Sequence, residues 1–315
     1  MKWIKKGQIF EPKGEYAWMN SHVCPLAAIV LEDRIRVFVS TRTKQDSEGN
    51  YVSYPTYLDL DLDDPKKILY LHNEPILELG GLGAFDQFGI MVLKPLMIQK
   101  ILYLYYAGWQ RLACGKSPYQ ITVGLAISED FGKTFKKVSN GPILGIDMED
   151  PIGVGNVFVI KRDCYHMYYT SIIRWENSKV KPTILYNIKH AVSDDAIHWK
   201  KDGKIIIRDN EKGGCVAPTV FEYNGKYRML FGYRPAFERD GTTGKYKIGY
   251  AESEDLLHWT RKDEEAGISA SETGWDSEMV CYPHVVQVKD KWLMFYCGNG
   301  FGAGGFGYAQ LKQED

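Results

Sequence analysis

The chain has 315 residues, with 39 Lys and Arg against 40 Asp and Glu and a formal net charge of −1. That balance argues against a polyanion or an anionic membrane surface, so neither nucleic acid nor membrane is expected as a partner. Hydrophobic residues make up 44%, enough for a sizeable core, and no stretch reaches the length of a membrane span.

The N-terminus, MKWIKKGQIFEP, starts basic but carries no apolar run of signal-peptide length. Six cysteines at 24, 114, 164, 215, 281 and 297 form no Cys-x-x-Cys pair and read as buried thiols of a reducing compartment. A cytoplasmic protein is the expectation. Five strand-pair segments then follow one another: PLAAIVLEDRIRVFVSTR (25–42), IMVLKPLMIQKILYLYYAGW (90–109), GNVFVIKRDCYHMYYTSIIRW (155–175), PTVFEYNGKYRMLFGYR (218–234) and PHVVQVKDKWLMFYCGNG (283–300). Ile29, Leu93, Phe158, Phe221 and Val286 hold equivalent places, which sets steps of 64, 65, 63 and 65 residues. A further strand and turn follows the middle three, in GLAISEDFGKTF (124–135), KHAVSDDAIHW (189–199) and GYAESEDLLHW (249–259), and the chain ends on GYAQL (307–311).

A repeat of this length, with two paired strands, a loop and another strand, predicts an all-β fold. Specifically, it predicts a five-bladed β-propeller of four-stranded antiparallel blades around a central channel, with residues 1–315 as one domain. Asn224-Gly225 is the strongest hairpin signal. Ser128, Asp130, Gly132, Thr134 and Phe135 fit the pattern known in sialidases as an Asp box, with looser copies at Asp195/Trp199 and Asp255/Trp259. These turns are expected to be structural, as are His198 and His258 within them. Gly300 to Gly305 spell GxGxxG, but no strand–helix unit follows, so a ring-closing glycine loop is the expectation.

In a propeller blade the start of the first strand and the end of the second surround one mouth of the channel. The strand-one starts carry His22, Asp86, Glu149, Asp150 and Glu278, and the strand-two ends carry Arg42, Trp109, Arg174, Trp175, Arg234 and Asn299. Charges so placed are costly to bury unpaired, which favours a site over filler. Arginines in such a mouth suit a carboxylate or phosphate, so an anionic ligand is favoured; pairing with the neighbouring carboxylates is the alternative. Trp109 and Trp175 offer flat faces to a sugar ring or pack in the core. Cys24, Cys215 and Cys281 lie near strand starts and read as small buried thiols. No histidine pair shares a metal-ligand spacing with a carboxylate, so no protein-built metal site and no cofactor are expected.

The chain resembles the five-bladed propeller glycosidases of the arabinanase–xylosidase and invertase–levansucrase group. The similarity is nearest to uncharacterised glycosidase-like proteins of bacterial O-antigen and capsule gene clusters. The resemblance spans essentially the whole chain. It is carried by WMNSHVCP (18–25), GAFDQFGI (83–90), EDPIGVGNVFV (149–159), GWDSEMVCYPHV (274–285) and GNGFGAGGFGYA (298–309). It implies a carbohydrate-active enzyme in which Asp86, Glu149 and Glu278 form an acid–base set with His22 beside them. Arg42, Trp109, Asp150, Arg174, Trp175, Arg234 and Asn299 would then hold the substrate. It also leaves open a channel cation, as some relatives carry. The first blade has Asn20-Ser21-His22 where those enzymes keep an aspartate, so the hydrolytic set is incomplete. A non-catalytic sugar or nucleotide-sugar binder therefore stands as the alternative, with a protein-interaction propeller behind it.

Overall fold

The computed structural model describes residues 1–112, 118–176, 183–208, 213–234 and 244–313. Twenty strands run through them. The first ten are β1 (Trp3–Phe10), β2 (Leu26–Val30), β3 (Ile35–Arg42), β4 (Ser53–Leu60), β5 (Ile68–Leu71), β6 (Ile90–Ile98), β7 (Ile101–Arg111), β8 (Tyr119–Ser128), β9 (Lys136–Lys137) and β10 (Gly153–Lys161). The rest are β11 (Tyr165–Glu176), β12 (Thr183–Ser193), β13 (Lys200–Ile207), β14 (Gly214–Tyr223), β15 (Lys226–Arg234), β16 (Lys247–Ser253), β17 (Thr260–Arg261), β18 (Cys281–Val288), β19 (Lys291–Cys297) and β20 (Phe306–Leu311).

They form three four-stranded sheets, β2-β3-β4-β5, β6-β7-β8-β9 and β1-β20-β19-β18, and one of eight strands. The eight-stranded sheet consists of two antiparallel groups, β10 to β13 and β14 to β17, joined at a single parallel bridge between Tyr186 and Gly214. The first strands touch in a cycle: β2 on β6, β6 on β10, β10 on β14, β14 on β18, and β18 back on β2. The fold is all-β and propeller-like.

Each repeated segment supplies the first two strands of a group. Four of the first strands carry a register shift, at Val92/Lys94, Gly155/Phe158, Val216/Thr219 and Cys281/His284. Such bulges sharpen the local twist and re-aim the residues beyond them. Between β14 and β15, Asn224 and Gly225 have φ of 50° and 70°, the left-handed pair that a two-residue hairpin requires. The sequence leaves residues 3–10 outside the repeat, yet β1 pairs with β20 and becomes the outer strand of the last sheet. The two ends of the chain thus share one sheet, and the otherwise open edge of β20 is covered.

The Asp-box turns take the structural role expected of them. Asp130 accepts backbone N–H bonds from Lys133 and Thr134, both at 3.0 Å, and Asp195 and Asp255 accept comparable pairs in the next two groups. Their partners His198 and His258 donate to Asp195 and Asp255 at 2.7 and 2.6 Å. Phe131, Ala196 and Leu256 sit at the same turn position with φ of 60°, 64° and 67°. Each points its carbonyl at the preceding group, where Arg36, Tyr105 and Tyr168 donate to it at 3.0, 2.7 and 2.6 Å. The turn that ends one sheet therefore latches it to its neighbour, and Phe135, Trp199 and Trp259 pack edge-on against Phe38, Tyr105 and Tyr168.

Candidate ligand-binding site

Three loops that enter first strands each bury an aspartate in the same clasp. Asp86 takes an ion pair from Lys137 at 2.6 Å and a hydrogen bond from the Tyr106 hydroxyl at 3.4 Å. Asp276 takes Lys5 at 2.6 Å and Tyr296 at 2.9 Å. Asp150 takes Lys201 at 2.8 Å, Tyr169 at 2.9 Å and Lys189 at 3.1 Å. In every case the tyrosine stands on the second strand of the group and Lys137, Lys201 or Lys5 on its outermost strand. Each carboxylate is thus tied along the end of its own sheet. For Asp150, burial opposes the charge, but Lys201, Ser171 and Lys189 outweigh it and hold the carboxyl below the usual range. The tyrosine hydroxyls are pushed up, first by burial and then by the aspartates.

The mouth itself is a cavity of about 700 Å³, within the range of small-molecule sites. Trp109, Tyr119, Trp175, Tyr186, Tyr246 and Tyr282 wall it, and Arg42, Gln110, Arg111, Thr170 and Cys24 reach it. No aspartate or glutamate is among its described lining residues. Arg111 is engaged by Asp46 at 2.9 Å. The Arg42 guanidinium lies over the Tyr51 ring at 5.4 Å and makes no ion pair among the described residues. The buried Arg42 Nε, Trp109 Nε1, Trp175 Nε1, Gln110 Oε1 and Thr170 Oγ1 have no hydrogen-bond partner among the described residues. A cluster of such atoms in one cavity is unusual, because buried polar groups are ordinarily paired. Behind the wall, fully buried Arg234 lies near the Tyr186 and Tyr246 rings. It donates to the Ile184 carbonyl at 2.8 Å, and its Nε and Nη1 have no partner among the described residues.

Of the residues singled out by sequence, the structure gathers Arg42, Trp109 and Trp175 into this cavity, with Arg234 behind it. It does not gather the carboxylates. Asp86 and Asp150 are shut in clasps, so the convergence expected at the channel mouth is corrected: their loops fold back along the sheet ends. Glu149 is exposed, with its carboxylate packed over Gly203 on the outermost strand of its group. Glu278 is exposed and pairs with Lys245 at 3.4 Å. Arg174 is exposed and pairs with Glu176. Asn299 is a loop brace whose Oδ1 accepts from the Glu278 and Met279 backbone at 2.7 and 3.2 Å. His22 is buried, beside Ser21 Oγ at 2.8 Å and edge-on to Tyr51. Burial and then the Arg42 charge lower its pKa to about 3, leaving it neutral at physiological pH and a weak base.

No protein-family model matches the chain. Its sequence is 34% identical over 319 residues to the uncharacterized protein MT1551 of Mycobacterium tuberculosis strain CDC 1551 / Oshkosh, covering 99% of this chain and 100% of the relative. The uncharacterized protein Rv1502 of strain ATCC 25618 / H37Rv matches with the same identity and coverage. The chain belongs to their family. Among solved structures, one described as a glycoside hydrolase superposes with TM-score 0.74 at 16% identity, over 99% of this chain and 92% of the other. A thermostable family-43 glycoside hydrolase gives 0.63 at 15% identity, over 95% and 94%. The β-1,2-mannobiose phosphorylase of Listeria innocua, in complex with β-1,2-mannobiose, gives 0.69 at 12% identity, over 99% and 97%. At these identities the likeness is one of fold.

Two further features of this family member lay outside the sequence expectations. Where the first strands meet, the Lys94 ammonium sits 4.1 Å from the centroid of the Phe158 ring, with no ion pair among the described residues. Burial pushes Lys94 down to about 8, and burial and then Lys94 push His284 well below its usual value. At the β10–β11 turn, Asp163, Cys164 and His166 bring their potential ligand atoms within 4.8 Å of one another, a grouping with one histidine that histidine-pair spacing does not reveal. There the two ring nitrogens of His166 are engaged by Asp163 at 3.1 Å and His190 at 3.0 Å.

Proposed function

We propose that residues 1–315 form a single five-bladed propeller whose channel mouth binds a carbohydrate bearing a carboxylate or phosphate. The closed cycle of first strands and the likeness to glycoside hydrolases and a mannoside phosphorylase support the architecture and the carbohydrate. The observation that carries the reading is the cavity's lining. Aromatic walls offer sugar or base faces, Arg42 offers a cation with no ion pair among the described residues, and buried donors lie beside it. Arg234 adds positive charge behind the wall. An activated sugar with its diphosphate fits both features. A reducing compartment, the cytoplasm, suits the five described cysteines, all free thiols.

The second reading is a glycosidase-like enzyme, favoured by the same fold likeness and by the exposed carboxylates of Glu149 and Glu278. It needs a ligand that brings those glutamates to the reacting bond, because no carboxylate lines the cavity among the described residues. A thermal-shift and mass-spectrometric screen of neutral glycosides, uronides, glycosyl phosphates and nucleotide sugars separates the two. Anionic sugars that stabilise wild type, fail to stabilise Arg42→Met and stay intact support the binder. Turnover lost in Glu278→Gln supports the enzyme. Equal stabilisation by neutral sugars in wild type and Arg42→Met overturns the anionic reading.

A further inference from the structure

Three thiols meet at the floor of the cavity, on the seam between the first and last sheets. Cys24, just before β2, lines the cavity together with Arg42. Cys281 and Cys297 stand directly opposite one another on β18 and β19. Cys297 reaches the first sheet at Val23, the residue before Cys24. Cys297 Sγ donates to the Val23 carbonyl at 3.2 Å, and Cys281 Sγ to the Cys297 carbonyl at 3.5 Å, with Met279 Sδ 3.9 Å from Cys281 Sγ. All three cysteines are buried, and only Cys24 is among the residues lining the cavity. A small solute entering the mouth therefore meets a thiol with two possible resolving thiols behind it.

We propose that Cys24 is a peroxide-oxidisable thiol whose sulfenic acid condenses with Cys281 or Cys297, locking the first sheet to the last. In the first step the Cys24 sulfur attacks one oxygen of the hydroperoxide. The O–O bond breaks, the sulfur is oxidised by two electrons to Cys24–SOH, and the other oxygen leaves as water or alcohol after taking a proton. In the second step the neighbouring sulfur attacks Cys24. The S–O bond breaks, water leaves with the second thiol's proton, and an S–S bond forms. Net, two thiols and one hydroperoxide give one disulfide, one water and one water or alcohol.

The electrostatics agree with this geometry. Burial disfavours a thiolate at Cys24, but the neighbouring Cys281 and Cys297 thiols and the charge of Arg42 outweigh it, so one proton leaves the trio more readily. The remaining two thiols are pushed up. Cys164 is the internal control. It is more exposed, but burial, Asp163 and Asp194 raise its pKa.

The test uses the full chain in a Cys114→Ser background, since residue 114 lies outside the described residues. Hydrogen peroxide is added near stoichiometry, free thiols are capped with iodoacetamide, and peptides are mapped without reduction. The expected result is a Cys24 peptide cross-linked to Cys281 or Cys297, Cys164 recovered as free thiol, and a melting temperature raised by several degrees. In Cys24→Ser the cross-link is absent; in Cys281→Ala it moves to Cys297. A second readout needs no substitution in the trio: in the unoxidised protein, iodoacetamide labels Cys24 several-fold faster than Cys164. Preferential labelling and oxidation of Cys164, with Cys24 left reduced, overturns the proposal. So does over-oxidation of Cys24 without any cross-link.

Discussion

The clasps and the cavity both bury polar groups, but they treat them in opposite ways. In the clasps every buried carboxylate is met by a lysine and a tyrosine hydroxyl. In the cavity Arg42 Nε, Trp109 Nε1, Trp175 Nε1, Gln110 Oε1 and Thr170 Oγ1 are buried with no partner among the described residues. Satisfied charge stabilises a fold element, and unsatisfied polarity marks a surface completed by something else. A charged residue at a strand start is therefore weak evidence of chemistry until its partners are known.

The sharpest way to break this contrast is to open a clasp. Asp150→Asn leaves Lys189 and Lys201 facing a neutral amide, and removing one partner of a buried pair costs roughly 3–5 kcal/mol. Urea unfolding reads that loss, while the affinity of the remaining folded fraction for its ligand stays unchanged. If affinity vanished with stability intact, Asp150 would belong to the site.

Lys94 is a half-buried cation with no carboxylate partner among the described residues. Its folded pKa of about 8 lies below the unfolded 10.5, so between those values only the unfolded chain keeps the proton and stability rises with pH. Lys94→Met raises stability at pH 7 by roughly 1–3 kcal/mol and abolishes that rise, as thermal melts across the pH range will show. His22 has the same sign at lower pH. Its folded pKa of about 3 lies below 6.5, so stability falls as pH drops from 6.5 toward 3, and less steeply in His22→Gln.

Arg42→Met sharpens the cavity side. It removes no ion pair among the described residues, so the melting temperature stays near wild type. Affinity for an anionic sugar falls at least tenfold, about 1.4 kcal/mol. Glu278→Gln has the smallest effect, within about 0.5 kcal/mol of stability, because it breaks only an exposed pair with Lys245.

The strands were legible because their signals are local. The repeat placed the first two strands of every group, and Asn224-Gly225 marked its own hairpin. β1 was not, because its pairing with β20 spans the whole chain and WIKKGQIF has no counterpart among the repeats. Of the site, Arg42, Trp109 and Trp175 were legible from their places at strand ends. Tyr51, Tyr119, Tyr186, Tyr246 and Tyr282 were not, because tyrosines in and beside strands pack in the core as readily as they line a cavity. Asp86 and Asp150 were misplaced because Lys137 and Lys201, which clasp them, lie 51 residues further along in each case. Only the sheet brings those pairs together.

The most direct test of the contrast is calorimetric titration of a neutral sugar and its phosphate ester into wild type and Arg42→Met. The account predicts that wild type binds the ester at least tenfold more tightly than the parent sugar, and that the variant loses this preference while keeping its melting temperature. An equal preference in both proteins, or none in wild type, would contradict it.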